Sequence, residues 1–233
     1  MSDEKKQSLF NLFPLALFRD TIEITEKERE VLVNEILSQE KNSKNTIDKG
    51  KQPAWTGDTQ GYEFLFKNKK FEKLFSLISL SIKKYTSIIG LENDKFDFYY
   101  QRSWATISRN NENIYAHKHH QSHITFAYYL KKTKDDGNIN FHNESLQNEI
   151  APKIFNGRSV VGFFKTNLLN AQIATFSPEI DEILIFPSKT MHSTSFNKTS
   201  EGRISIAADV TLVAKDSTNS EGLLPPIDQW DKF

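Results

Sequence analysis

From residue 96 onward the chain is cut into short segments rich in β-branched and aromatic residues. They are FDFYYQRSWATIS, HITFAYYLKKT, NINFHN, SVVGFFKTN, AQIATF, EILIFP, STSFN and RISIAADVTLV. Turn signals punctuate them at Asp135-Asp136-Gly137, Asn156-Gly157, Ser177-Pro178-Glu179 and Glu201-Gly202. No helical periodicity separates these segments, so the crossover helices of a parallel sheet are absent. About eight short strands in this arrangement predict an antiparallel barrel or sandwich of jelly-roll type.

The part before residue 96 reads differently. Thr25 and Glu28 have capping-box spacing and precede Val31, Leu32, Ile36 and Leu37, which predicts a helix. A second helix follows from the stripe Phe71, Leu74, Phe75, Ile78, Ile82, Tyr85 and Ile89, with Gly90 where a C-terminal cap belongs. Between them, residues 40–60 are polar and rich in turn formers, and predict a long loop. Helices followed by strands in one chain suggest helices packed outside the barrel. The expected organisation is one domain over 1–233: a helical support region 1–95, a jelly-roll core 96–215 and a tail 216–233.

Composition narrows the function. Thirty Lys+Arg balance 30 Asp+Glu, so bulk attraction to nucleic acid or an anionic membrane is not expected. Cysteine is absent, which excludes disulfides, thiolate catalysis and iron–sulfur clusters. The N-terminus lacks the apolar region and cleavage site of a signal peptide, and no stretch approaches the roughly 18 apolar residues of a membrane span. These features read as a cytoplasmic protein.

All six histidines fall between residues 117 and 192, five of them at His117, His119, His120, His123 and His142. Imidazoles cluster most readily around a metal. On an extended segment residues two apart share a side, so His117 and His119 can reach one ion. His192, after the strand-like run ending at Pro187, is the natural third ligand. The competing reading is a polar, histidine-rich surface loop. His120, His123 and His142 read as surface residues, or as neighbours supporting the ligands in the case of His123 and His142. Further on, Arg203 and Ser205 share a strand face. The guanidinium fork and hydroxyl suit an anionic ligand, against a bland pairing of Arg203 with Glu201 or Asp209.

The order of these pieces resembles the iron(II)- and 2-oxoglutarate-dependent dioxygenases, and within them a small bacterial and phage group related to prolyl hydroxylases. Leu12-Phe-Pro14, Ser103-Trp104, the run from His117 to Leu130, Phe186-Pro-Ser188 followed by His192, and Arg203-Ile-Ser-Ile206 carry the resemblance. It implies Fe(II) held by His117, His119 and His192. It also implies 2-oxoglutarate with its far carboxylate on Arg203, and Ser205 and Tyr129 beside it. The implied fold is a double-stranded β-helix, and the implied reaction hydroxylates a small-molecule or peptide substrate with release of succinate and CO2.

The chain departs from the family's usual two-histidine, one-carboxylate metal site by carrying His119 where most such enzymes have Asp. Three solutions follow: a three-histidine iron site, a carboxylate from elsewhere in the fold, or another metal. Where relatives place Asp-Pro-Arg after a Gly-x-Leu-x-Phe segment, this chain has His142-Asn143-Glu144. A cupin-type metalloenzyme without 2-oxoglutarate is the first alternative, with His123 as its fourth ligand. A non-catalytic jelly-roll binding protein is the second.

Overall fold

The computed structural model describes residues 8–43, 54–156, 164–218 and 220–233. It contains β1 (Phe18–Thr21), α1 (Glu26–Asn42), β2 (Trp55–Thr56), α2 (Glu72–Ile88), β3 (Phe96–Ser108), β4 (Ile124–Lys131), β5 (Ile139–His142), β6 (Ile173–Phe176), β7 (Glu182–Pro187), β8 (His192–Thr194) and β9 (Arg203–Ala214). Two sheets form, one six-stranded in the order β1-β7-β4-β9-β3-β2 and one three-stranded in the order β6-β5-β8. All the strand pairings within them are antiparallel.

Seven of the eight expected strand segments are strands at nearly the expected residues. The eighth, at 159–167, lies largely outside the described residues, as does much of the 40–60 loop. Two short strands escaped the sequence reading. β1 and β2 are four and two residues long and extend the large sheet at its two ends. Segments that short carry too few residues to display an alternation.

The pleat divides the large sheet into two chemically distinct faces. Ile204, Ile206, Ala208 and Val210 of β9, Ile124, Phe126, Tyr128 and Leu130 of β4, and Ile183 and Ile185 of β7 pack with the two helices. Leu184 and Phe186 of β7 turn the other way and pack with Ile139 and Phe141 of the small sheet. The helices therefore lie outside the large sheet, and the space between the two sheets is left for something else.

Helix α1 begins as its sequence predicts. Thr25 Oγ1 accepts the Glu28 N–H, and Glu28 Oε2 accepts the Thr25 N–H at 2.9 Å. Its buried face differs from the expected one, however. Val31 and Leu37 are 44% and 39% exposed, and the buried positions are Arg29, Leu32, Ile36 and Gln39. A charged residue has displaced the apolar stripe because it has buried partners. Arg29 donates to the Leu130 carbonyl at 2.9 Å and to Asp181 Oδ2 at 2.7 Å. Asp181, in the left-handed region at φ 67°, also accepts from Tyr128 Oη at 2.7 Å. Helix α2 follows its expected stripe to Tyr85, and Gly90 ends it at φ 91°. Ile89 falls on the exposed side.

Replacing Arg29 by Ala leaves the half-buried Asp181 beside Tyr128 without its cation. The expected cost is about 3 kcal/mol in urea unfolding, whereas Val31→Ala on the exposed face is expected to stay within about 0.5 kcal/mol. Equal effects would show that α1 docks by apolar contact alone.

Candidate metal centre

The ladder of β9 sits between β3 and β4, and its inward residues are Arg203, Ser205, Ala207 and Asp209, every second position. From β4 come Thr125, Ala127 and Tyr129, and from β3 come Arg102, Trp104 and Thr106. Together with His117, His119 and His192 these line a cavity of about 230 Å³ between the sheets.

Each histidine is set by the backbone before its side chain is considered. His117 and His192 form a two-residue antiparallel bridge, each N–H donating to the other's carbonyl at 2.9 Å. The bridge adds His117 to the edge of the small sheet beside β8. The His119 N–H donates to the Ser188 carbonyl at 3.0 Å, tying the segment after His117 to the end of β7. The ligand atoms of the three imidazoles consequently lie within 4.8 Å of one another.

The rings are also fixed in tautomer. His117 Nδ1 meets the Tyr115 carbonyl at 2.8 Å, His192 Nδ1 meets the Thr190 carbonyl at 2.8 Å, and His119 Nδ1 meets Asp209 Oδ1 at 2.5 Å. A carbonyl oxygen only accepts, so Nδ1 of His117 and His192 must carry the proton, and the carboxylate of Asp209 asks the same of His119. In the neutral ring this tautomer leaves Nε2 with its lone pair. This is the support that metal-bound imidazoles receive: the remote nitrogen donates to oxygen and the near one is free to ligate. Trp104 stacks on His119, centroids 5.6 Å apart and planes at 21°, which holds the ring's pitch. Burial lowers the imidazoles of His117 and His192, the latter to about 3, where the nearby His117 acts in the same direction. Both are thus neutral at physiological pH, the form that binds metal.

Arg203 occupies the far end of the cavity. It is 1% exposed, and no carboxylate among the described residues pairs with it. It donates to the Gly137 carbonyl at 2.6 Å and to Ser108 Oγ at 3.3 Å, and its Nε has no partner. Gly137 permits this approach, because a Cβ there would run into the Ser195 carbonyl. Burying a guanidinium this way costs several kcal/mol in the free protein, a cost that an anion bound in the cavity would offset. Tyr129 and Ser205 line the same space, opposite one another in the β4–β9 register. Burial pushes the Tyr129 phenol up to about 12, so it is a neutral hydrogen-bond donor.

His117, His119, His192, Arg203, Ser205 and Tyr129 thus gather in one cavity. His123 and His142 do not line it. The exposed His123 accepts the Leu212 N–H on Nδ1 at 3.1 Å, extending the ladder beside β9, so it cannot be a fourth, cupin-like ligand. His142 Nε2 bonds Ser193 Oγ at 2.8 Å, one residue from His192. Arg203 pairs with neither Glu201 nor Asp209. The residue that sequence reasoning missed is Asp209. Its signal was present, since Arg203, Ser205, Ala207 and Asp209 alternate, but nothing in the sequence linked it to His119 ninety positions away.

A family model described as "Putative 2OG-Fe(II) oxygenase" matches residues 102–209, from the Arg of β3 to the Asp of β9. No curated protein matches the sequence. Three solved structures share the fold at low identity. The non-heme α-ketoglutarate-dependent epimerase SnoN from nogalamycin biosynthesis is 11% identical at TM-score 0.57, over 94% of this chain and 88% of that one. HygX from Streptomyces hygroscopicus, with nickel, 2-oxoglutarate and hygromycin B bound, is 13% identical at TM-score 0.53, over 84% and 83%. A Pseudomonas putida prolyl-4-hydroxylase is 9% identical at TM-score 0.52, over 84% and 92%. The chain spans 57% of a Burkholderia pseudomallei 2OG-Fe(II) oxygenase-family protein, at TM-score 0.41. The shared fold is the double-stranded β-helix that the family resemblance implies, in keeping with the jelly-roll type expected from the strand pattern.

In the unfolded chain His192 takes up a proton near pH 6.5, but in the folded, metal-free protein only near pH 3. Between these values the unfolded state binds more protons, so stability falls as pH drops. The urea midpoint of the metal-free protein is expected to decline from pH 6.5 to pH 5, and to decline less steeply in His192→Gln. Parallel slopes would show that His192 is not held neutral.

Proposed function

We propose that this chain, a 2OG-Fe(II) oxygenase across residues 102–209, holds ferrous iron on Nε2 of His117, His119 and His192 and binds 2-oxoglutarate with its far carboxylate on Arg203. One observation carries the reading: a single cavity is lined both by three converging imidazoles and by a buried guanidinium that pairs with no carboxylate among the described residues. Bound there with 2-oxoglutarate, the iron supplies the oxidative decarboxylation of the co-substrate to succinate and CO2, coupled to hydroxylation of a substrate C–H bond.

The chain's own residues contribute position and environment. Arg203 offers its unpartnered Nε to the co-substrate, and Ser205 and the neutral Tyr129 add hydroxyl donors beside it. A charge-assisted bond in such a dry site is worth roughly 1.5–3 kcal/mol. Phe186 and Ile139 wall the cavity with apolar surface and keep water from the reacting centre. Trp104 holds His119 in plane. Thr56, Asp58, Thr59, Arg102, Lys118 and Gln121 line the same cavity and offer polar contacts to the substrate. That lining suits a polar small molecule or a peptide segment, the two kinds of ligand that the expected relatives take. The whole chain acts as one domain, with the helical region 1–95 bracing the large sheet. A cytoplasmic setting belongs to the same proposal, and no helix of the described residues is long and apolar enough to cross a membrane.

Anaerobic titration of the Fe(II)-loaded protein with 2-oxoglutarate is expected to develop a weak, saturable visible band. His117→Ala and His192→Ala are expected to weaken Fe(II) binding by at least about tenfold. Arg203→Met is expected to weaken 2-oxoglutarate by about 30–100-fold while leaving Fe(II) affinity unchanged. The same variant is expected to keep or raise the melting temperature, because it removes an unpaired buried charge. Metal binding without the band would favour metal chemistry that does not use 2-oxoglutarate.

A further inference from the structure

We infer that Asp209 carries the negative charge of the metal centre at one remove, through His119, and that the two residues form one exchangeable unit. The inference rests on the metal-binding reading above and assigns a positioning residue within it.

Asp209 is 0% exposed. Its Oδ1 accepts His119 Nδ1–H at 2.5 Å and Ser122 Oγ–H at 3.1 Å, and its Oδ2 accepts the Gln121 amide at 2.8 Å. No Lys or Arg among the described residues forms an ion pair with it. The carboxylate is therefore a buried anion whose one titratable partner is an imidazole. Across that imidazole lies a set of three imidazole nitrogens with no carboxylate among them. Each half is costly alone, and a divalent cation at Nε2 completes both. The charge that the usual triad supplies by direct ligation is here supplied from behind the ligand.

Covalent geometry adds a sharper consequence. Asp Oδ1 and His Nδ1 are each bonded directly to Cγ, so an Asp at position 119 would bring an oxygen close to where Nδ1 now stands. That oxygen would face Asp209 Oδ1 at hydrogen-bond distance with no proton between them. His119→Asp alone therefore does not restore the usual triad; it opposes two carboxylates in a dry pocket. Changing Asp209 to Asn at the same time supplies an amide N–H to the new carboxylate, while the Asn oxygen keeps accepting the Gln121 amide where Oδ2 now stands.

The test is anaerobic competition for Fe(II) against a chromogenic chelator, with wild type, Asp209→Asn, His119→Asp and the double variant. Metal-free melting temperatures and the visible spectrum of the Co(II)-loaded proteins accompany it. Asp209→Asn is expected to weaken Fe(II) about 10–100-fold and shift the Co(II) spectrum. His119→Asp is expected to bind more weakly still, and the double variant to recover at least tenfold over it. Unchanged affinity and spectrum in Asp209→Asn would overturn the charge role. A double variant no better than His119→Asp would overturn the exchange. Should wild type itself fail to bind Fe(II), or His117→Ala bind as wild type does, the metal reading fails first. If those two behave as expected and Asp209→Asn is silent, the inference fails alone.

Discussion

The pleat of β9 is the constraint from which the site follows. This strand lies between β3 and β4 in the middle of the large sheet. Ile204, Ile206, Ala208 and Val210 point to the helices and are all but fully buried there. With that face committed to the core, the register cannot slip by one residue without reversing every side chain. Arg203, Ser205, Ala207 and Asp209 are therefore committed to the space between the sheets. The packing that stabilises the fold also delivers a guanidinium to one end of the cavity and a carboxylate to the other.

Two uncompensated charges mark the cavity as a place for ligands. Among the described residues Arg203 is a buried cation with no acid in an ion pair, and Asp209 is a buried anion whose ion-pair partner is His119 alone. They lie six residues apart on one strand, about 20 Å at 3.3 Å per residue, too far to neutralise one another. A stable fold that spent its stability only on folding would replace such groups with apolar ones. Ferrous iron and 2-oxoglutarate, the two components in the description of the family model that matches residues 102–209, are a cation and a dianion whose charges suit the two ends. The neutral, tautomer-locked imidazoles of His117 and His192 need no proton release before binding metal.

Much of this was legible in the sequence, and the reasons are physical. The strands from 96 onward alternate because one face meets the helices and the other the cavity. His117 and His119 come together as their spacing of two residues suggested, with ring centroids 5.2 Å apart. His192 joins them through a backbone bridge to His117, a contact that spacing alone suggested without specifying. Three things were not legible. The edge strands β1 and β2 were too short to show a pattern. The true buried face of α1 includes Arg29, whose burial depends on Asp181 and a carbonyl of β4 far along the chain. The carboxylate absent from position 119 reappears at Asp209, brought to His119 by the β4–β9 pairing that sets Thr125 opposite it. Each depends on contacts between residues remote in sequence, which no local pattern encodes.

The most direct measurement is a crystal structure of the protein soaked anaerobically with Mn(II), as an oxygen-stable stand-in for iron, together with 2-oxoglutarate. The account predicts one anomalous peak among Nε2 of His117, His119 and His192, with the far carboxylate of 2-oxoglutarate on Arg203. An ion bound elsewhere, or 2-oxoglutarate absent from the Arg203 end of the cavity at saturating concentration, would contradict it.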